Sequence, residues 1–162
     1  MAWSPVVSLP LESPTLERRA APRHPATEFA LRVGVPSIDR EHVALVAQLD
    51  RLNANPDAYP GTEAFSEILS RLGRQINAHF DSEEAILREC AMPAEIVLEH
   101  IRAHTDILDQ YSRLNLELMN GRVFSRDEAL GLIRSWIVEH VLHHDMKLSQ
   151  YIPGTAGQPP GA

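Results

Sequence analysis

Five of the eight histidines in the chain fall where a buried helix face is expected: His42, His79, His100, His104 and His140. Around the second of these, Phe65, Leu69, Leu72, Ile76, His79, Glu83, Ile86 and Cys90 recur at alternating steps of four and three, the repeat of one buried helical stripe. Glu83 therefore faces the core together with His79. A buried carboxylate without a partner is strongly disfavoured, so it is neutralised, paired with a cation or bound to a metal. No Lys or Arg shares the stripe. His100 and His104 stand one turn apart and project from one face of another helix, and Asp145 follows His140 near the end of a fourth. A single inward histidine is more often a satisfied core residue than a ligand, but five of them with two carboxylates point to metal chemistry. The set is too large for one tetrahedral zinc and suits two five- or six-coordinate ions that share bridging carboxylates. Imidazole combined with carboxylate favours iron and leaves zinc and manganese open.

Four amphipathic helices must carry these residues. The first is expected from about Asp39, a good N-cap, to Asn53, with Ile38, His42, Leu45, Leu49 and Leu52 inward. A loop of turn-forming residues from Asn55 to Gly61 leads to the second, which runs from Glu63 to Cys90. Pro93 marks the break before the third, whose stripe is Val97, His100, His104, Ile107, Tyr111, Leu114 and Leu118 and which stops at Asn120 and Gly121. Ser125 and Glu128 make a capping-box pattern for the fourth, through Leu130, Ile133, Ile137 and His140 to about Tyr151. With short loops and no strand pattern, the expected fold is all-α, an antiparallel up-down four-helix bundle. Residues 1–28 and 153–162, rich in Pro, Ser, Ala and Gly, are expected to be flexible tails around a bundle of residues 29–152. Trp3 or the run Val6-Val7-Ser8-Leu9 could give the first tail a protein partner, the smaller expectation beside a plain solvated tail.

At 162 residues and 44% hydrophobic content the chain suits one domain with a real core. Its net charge of -7 carries no basic stripe, which argues against nucleic acid and against an anionic membrane surface. The lone cysteine, Cys90, excludes an internal disulfide, and neither a signal-peptide pattern nor an apolar run of membrane-spanning length is present; a cytoplasmic protein is expected.

Taken together, Ile38-Asp39-Arg40-Glu41-His42, His79-Phe80-Asp81-Ser82-Glu83-Glu84, His100 with His104, and Trp136-Ile137-Val138-Glu139-His140 with Asp145 resemble a bacterial hemerythrin over roughly residues 29–152. Each piece alone is weak, whereas the four in this order and spacing are highly specific. The resemblance implies a non-haem di-iron site with an oxo or hydroxo bridge. His100, His104 and His140 would hold one iron, His42 and His79 the other, and Glu83 and Asp145 would bridge them. It further implies an open position on the two-histidine iron where dioxygen binds, with Phe80 and Trp136 as apolar walls of the oxygen pocket. Gln75 departs from the aromatic residue common one turn before the second histidine and would make the pocket more polar.

Helix periodicity and family pattern disagree at one place. At ~100° per residue, His144 lies about 40° from His140 and Asp145 about 140° from it, so periodicity selects His144. The need for a second anionic bridge and the family's last motif select Asp145, leaving His143, His144 and Glu84 as exposed or supporting residues. The function expected is reversible dioxygen binding for carriage, storage or sensing, without turnover of a substrate. The competing expectations are a di-iron enzyme acting on peroxide or nitric oxide, and an iron-dependent signalling module.

Overall fold

A computed structural model describes residues 31–152, and the expectations for residues 1–28 and 153–162 lie outside the described residues. Four helices follow one another: α1 (Pro36–Ala54), α2 (Glu63–Glu89), α3 (Ala94–Met119) and α4 (Arg126–His143), and a 3₁₀ turn (Asp145–Gln150) completes the order. No strand occurs among the described residues. α1 packs on α2 and α4, α2 on α3, and α3 on α4, so the helices form a closed ring of neighbours, the up-down four-helix bundle. None of the described helices is long and apolar enough to cross a membrane.

Local chemistry fixes most helix ends. The Thr62 hydroxyl accepts from Phe65 N and starts α2, while Ser125 and Glu128 make the full capping box at the start of α4. α3 stops at Asn120, and Gly121 follows with φ 78, the left-handed conformation that glycine adopts without a Cβ penalty. Arg126, in the first turn of α4, donates from Nη2 to the carbonyls of Leu52 and Asn53, two of the last carbonyls of α1. α1 itself begins earlier than Asp39. Pro36 sets the first turn, and the Asp39 carboxylate instead accepts from Val33 N at 2.7 Å, tying the lead-in segment to the helix.

Inward stripes of all four helices meet in one apolar cluster that includes Leu45, Leu49, Phe65, Leu69, Ile76, Ile107, Leu114 and Ile137. Each fully buried Leu, Ile or Phe contributes roughly 1.5–3 kcal/mol by removing apolar surface from water. A second cluster joins the lead-in residues Leu31, Val33 and Val35 to Ile38, Val46 and Val141, and a third joins Leu87 and Met92 to Leu148 of the 3₁₀ turn. These two smaller clusters involve the ends of the helices that carry His42, Glu83, His140 and Asp145.

Candidate metal centre

All seven residues singled out by type and spacing come together in one buried cluster. His42 (1% exposed), His79 (3%), Glu83 (0%), His100 (1%), His104 (2%), His140 (4%) and Asp145 (0%) are drawn from all four helices and the 3₁₀ turn. Helix direction explains the convergence. In an antiparallel bundle the beginnings of α1 and α3 lie beside the ends of α2 and α4, which is where these side chains stand in each element.

Donor atoms fall into two overlapping sets. One comprises Glu83, His100, His104 and His140; the other His42, His79, Glu83 and Asp145; within each set one nitrogen or oxygen per residue lies within 4.8 Å of the rest. Glu83 belongs to both. Its Oε2 lies 3.2 Å from His104 Nε2, 3.4 Å from His100 Nε2 and 3.6 Å from His79 Nε2. Asp145 spans the sets in another way, with Oδ1 at 2.9 Å from His140 Nε2 and 3.0 Å from His100 Nε2, and Oδ2 at 3.2 Å from His42 Nε2.

Of these six contacts only that of His104 Nε2 with Glu83 Oε2 has hydrogen-bond geometry. His42 Nε2, Glu83 Oε1 and both oxygens of Asp145 are buried without a hydrogen-bond partner, which is costly for polar atoms that meet only one another. Nitrogen and oxygen donor atoms gathered within 4.8 Å of one another and lacking other partners are what a shared cation requires, so the residues present fit a metal centre. The partners of Glu83 and Asp145 are histidines alone among the described residues, with no Lys or Arg to neutralise them.

Protonation follows from the same crowding. Burial works to raise Glu83 and Asp145, but contacts with imidazole nitrogens outweigh it and hold both carboxyls well below the usual carboxylate range. Burial disfavours charge on His140, yet the close approach of the Asp145 and Glu83 carboxylates lifts it to about 9; His42 and His100 are raised for similar reasons. His79 is lowered, chiefly by burial. A metal-free chain thus holds protons where a cation would otherwise neutralise the carboxylates, and metal binding would displace them.

Three histidines are oriented by an acceptor at Nδ1, which leaves Nε2 free to face the cluster: Leu31 O for His42 at 2.7 Å, Glu41 Oε2 for His79 at 3.0 Å, and Glu84 Oε1 for His104 at 3.3 Å. Sequence periodicity misses Leu31 and Glu41, because one contributes a backbone carbonyl and the other lies off the α1 stripe. His143 is exposed and donates to Glu139 O at 2.8 Å, and half-buried His144 stacks on His140 with ring centroids 5.1 Å apart. Burial, followed by repulsion from His140 and His100, pushes His144 down to about 4.

Beside the cluster lies a small cavity. It is walled by the rings of His79 and His140 and by six apolar side chains, Phe80 and Ile137 among them. Phe80 also stacks on His104 at 3.9 Å between centroids. Trp136 is half-buried against the main core cluster and is not one of the residues lining this cavity, nor is Gln75, whose Oε1 is buried without a partner.

The fold and the histidine–carboxylate cluster define a cation-binding helical bundle. A sequence model of the Hemerythrin family, described as the hemerythrin HHE cation binding domain, matches residues 33–152, and the chain belongs to that family. Among its curated relatives are proteins named bacteriohemerythrin from three strains of Campylobacter jejuni subsp. jejuni, strain 81-176 being one. Each is 24% identical over 114 residues, covering 70% of this chain and 84% of the relative. No solved structure matches the chain.

Proposed function

We propose that this chain holds two iron ions and binds dioxygen reversibly. The observation that carries the reading is the pair of donor sets sharing Glu83, with the two oxygens of Asp145 turned to opposite sets. In this reading His100, His104 and His140 serve one ion, His42 and His79 the other, and the two carboxylates serve both. Iron bound there supplies the reducing electrons that dioxygen needs in order to be held. The chain does the rest. Glu83 and Asp145 offset the cations' charge inside the core, where unscreened charge is costly. The acceptors behind His42, His79 and His104 keep Nε2 aimed at the cluster. Phe80, Ile137 and their apolar neighbours line the space beside the cluster with groups that offer water no hydrogen bond, which favours holding an apolar ligand over proton-driven release.

The match to the hemerythrin family and the relatives' name bacteriohemerythrin support the choice of iron and dioxygen. A cytoplasmic location belongs to the same proposal, supported by the single cysteine Cys90, which is free.

Anaerobic reconstitution with ferrous iron tests the reading. The expected result is two irons per chain and a visible absorption band that appears on aeration, fades when oxygen is removed and returns on re-aeration. One tightly bound zinc with no iron uptake by the metal-free chain would overturn the di-iron assignment. Irreversible oxidation on first aeration, with peroxide or nitric oxide then consumed in the presence of a reductant, would replace reversible binding by redox catalysis at the same residues.

A further inference from the structure

The two donor sets are not supported equally from behind. In the set of His42, His79, Glu83 and Asp145, the His42 ring is held by the neutral carbonyl of Leu31, a residue 2% exposed. The His79 ring is held by an anion, Glu41, at 3.0 Å, and the Glu41 side chain is 34% exposed. Glu41 lies one residue before His42 in α1 and reaches across to α2. Among the described residues His79 is its only ion partner. Glu84, behind His104 in the other set, also pairs with Arg88 Nη2 at 3.1 Å, so part of its charge is already offset. His79 is in addition a wall of the apolar cavity, so its orientation matters to both the cluster and the space beside it.

We propose that Glu41 is a positioning residue for the His79 side of the metal centre: its carboxylate holds the Nδ1 proton, fixes Nε2 as the metal-facing nitrogen and strengthens that nitrogen as a donor. The assignment rests on the metal-binding reading above. An imidazole has two neutral tautomers and two flipped orientations, and only a proton on Nδ1 leaves the Nε2 lone pair directed to the side where Glu83 Oε2 lies, 3.6 Å away. The acceptor selects that arrangement before a cation arrives. A negative charge behind the ring then draws the Nδ1 proton outward and concentrates electron density on Nε2. His79 belongs to one set only, so the consequence falls on one of the two ions.

The test uses the full chain, stripped of metal and titrated with zinc(II), a redox-silent probe, against a chromophoric chelator. Nitrogen-15 spectra of the histidine rings are recorded in parallel. The wild-type chain is expected to take two equivalents, with His79 bound through Nε2 and protonated on Nδ1. Glu41→Ala should keep one equivalent at wild-type affinity and weaken the other by about 10- to 100-fold, the usual loss when such a supporting partner is removed. Glu41→Gln keeps an acceptor oxygen without the charge, so it should restore the His79 signature and give an intermediate affinity. If Glu41→Ala lacks helix by circular dichroism, the Gln variant and the wild-type ring spectrum decide the matter. Two equivalents at wild-type affinity in a folded Glu41→Ala chain, or His79 bound through Nδ1 in the wild type, overturns the Glu41 assignment and leaves the metal reading standing. Fewer than two equivalents in the wild type overturns both.

Discussion

Replacing Asp145 by alanine while replacing its neighbour His144 in a separate chain probes the centre most directly. Asp145 is fully buried, and its two oxygens face imidazole nitrogens at 2.9, 3.0 and 3.2 Å. In the metal-free chain these rings hold protons against that carboxylate, so Asp145→Ala strands buried positive charge. Breaking a buried pair in this way costs about 3–5 kcal/mol. Withdrawn from the proposed metal-bound state instead, the same energy corresponds to roughly two to three and a half powers of ten in affinity, and under the two-ion proposal both sites would feel it because Asp145 faces both sets. His144 has a half-buried ring stacked on His140 at 5.1 Å, and its removal forfeits a ring contact worth roughly 0.5–1.5 kcal/mol. The assays are urea unfolding of chelator-treated protein and metal analysis after matched iron loading. Asp145→Ala is expected to lose most of its iron and several kcal/mol of metal-free stability, while His144→Ala keeps both irons. An Asp145→Ala chain that loads two irons, with His144→Ala losing them, would refute the reasoning.

Two further predictions concern the scaffold. A Cβ added at Gly73 would lie 2.6–2.7 Å from the Oη, Cε1 and Cζ atoms of Tyr111, whose hydroxyl donates to Leu69 O at 2.6 Å. Overpacking of about 1–3 kcal/mol then outweighs the ~1 kcal/mol gained in helix propensity, so Gly73→Ala should lower the melting temperature in the wild type and raise it in a Tyr111→Ala background. A rise in both backgrounds would show that the ring yields freely. Burial pushes the Tyr111 phenol above its ordinary value, so its folded pKa exceeds the unfolded one. The stability it contributes is fully present below about pH 10 and is lost as pH rises through the folded value. Urea unfolding above pH 10 should therefore weaken the wild type more than Tyr111→Phe; parallel losses would remove Tyr111 from the account.

Much of this arrangement is legible from periodicity because a bundle helix repeats one environment along its length. Ile38, His42, Leu45, Leu49 and Leu52 are all buried, as their spacing predicts, and so are His79, Glu83, His100, His104 and His140 on their own stripes. The pattern fails where the environment changes. At the end of α2 the spacing selects Ile86, but Leu87 is the more buried residue, because the last turn packs onto Met92 and Leu148 and not onto the bundle centre. Leu31 and Glu41 escape for another reason. A carbonyl acceptor carries no sequence signal, and Glu41 sits next to an inward histidine, about 100° away around the helix. Only the packing of α1 on α2 brings it to His79.

Asp145 shows how a local break in helix geometry serves the site. On a continuing α-helix it would point about 140° away from His140, too far round to share a cluster. α4 does not continue: it ends at His143, His144 has φ -118 and ψ -60, and a 3₁₀ turn begins at Asp145. The change of winding redirects the chain within two residues and carries the carboxylate inward to 0% exposure, while His144, which the uninterrupted period would bury, stays at the rim. Leu148 of the same turn is also fully buried and packs with Leu87 and Met92, so an apolar anchor holds the break in place. A helix-only reading of residues 126–151 therefore selects His144 on angle, whereas the chemistry of a buried histidine cluster that calls for a second shared anion selects Asp145. Part of the cost of leaving the α-helical winding is offset by burial of Leu148, and cation binding would stabilise Asp145 within the cluster. The 3₁₀ turn and the metal centre are accordingly expected to order together.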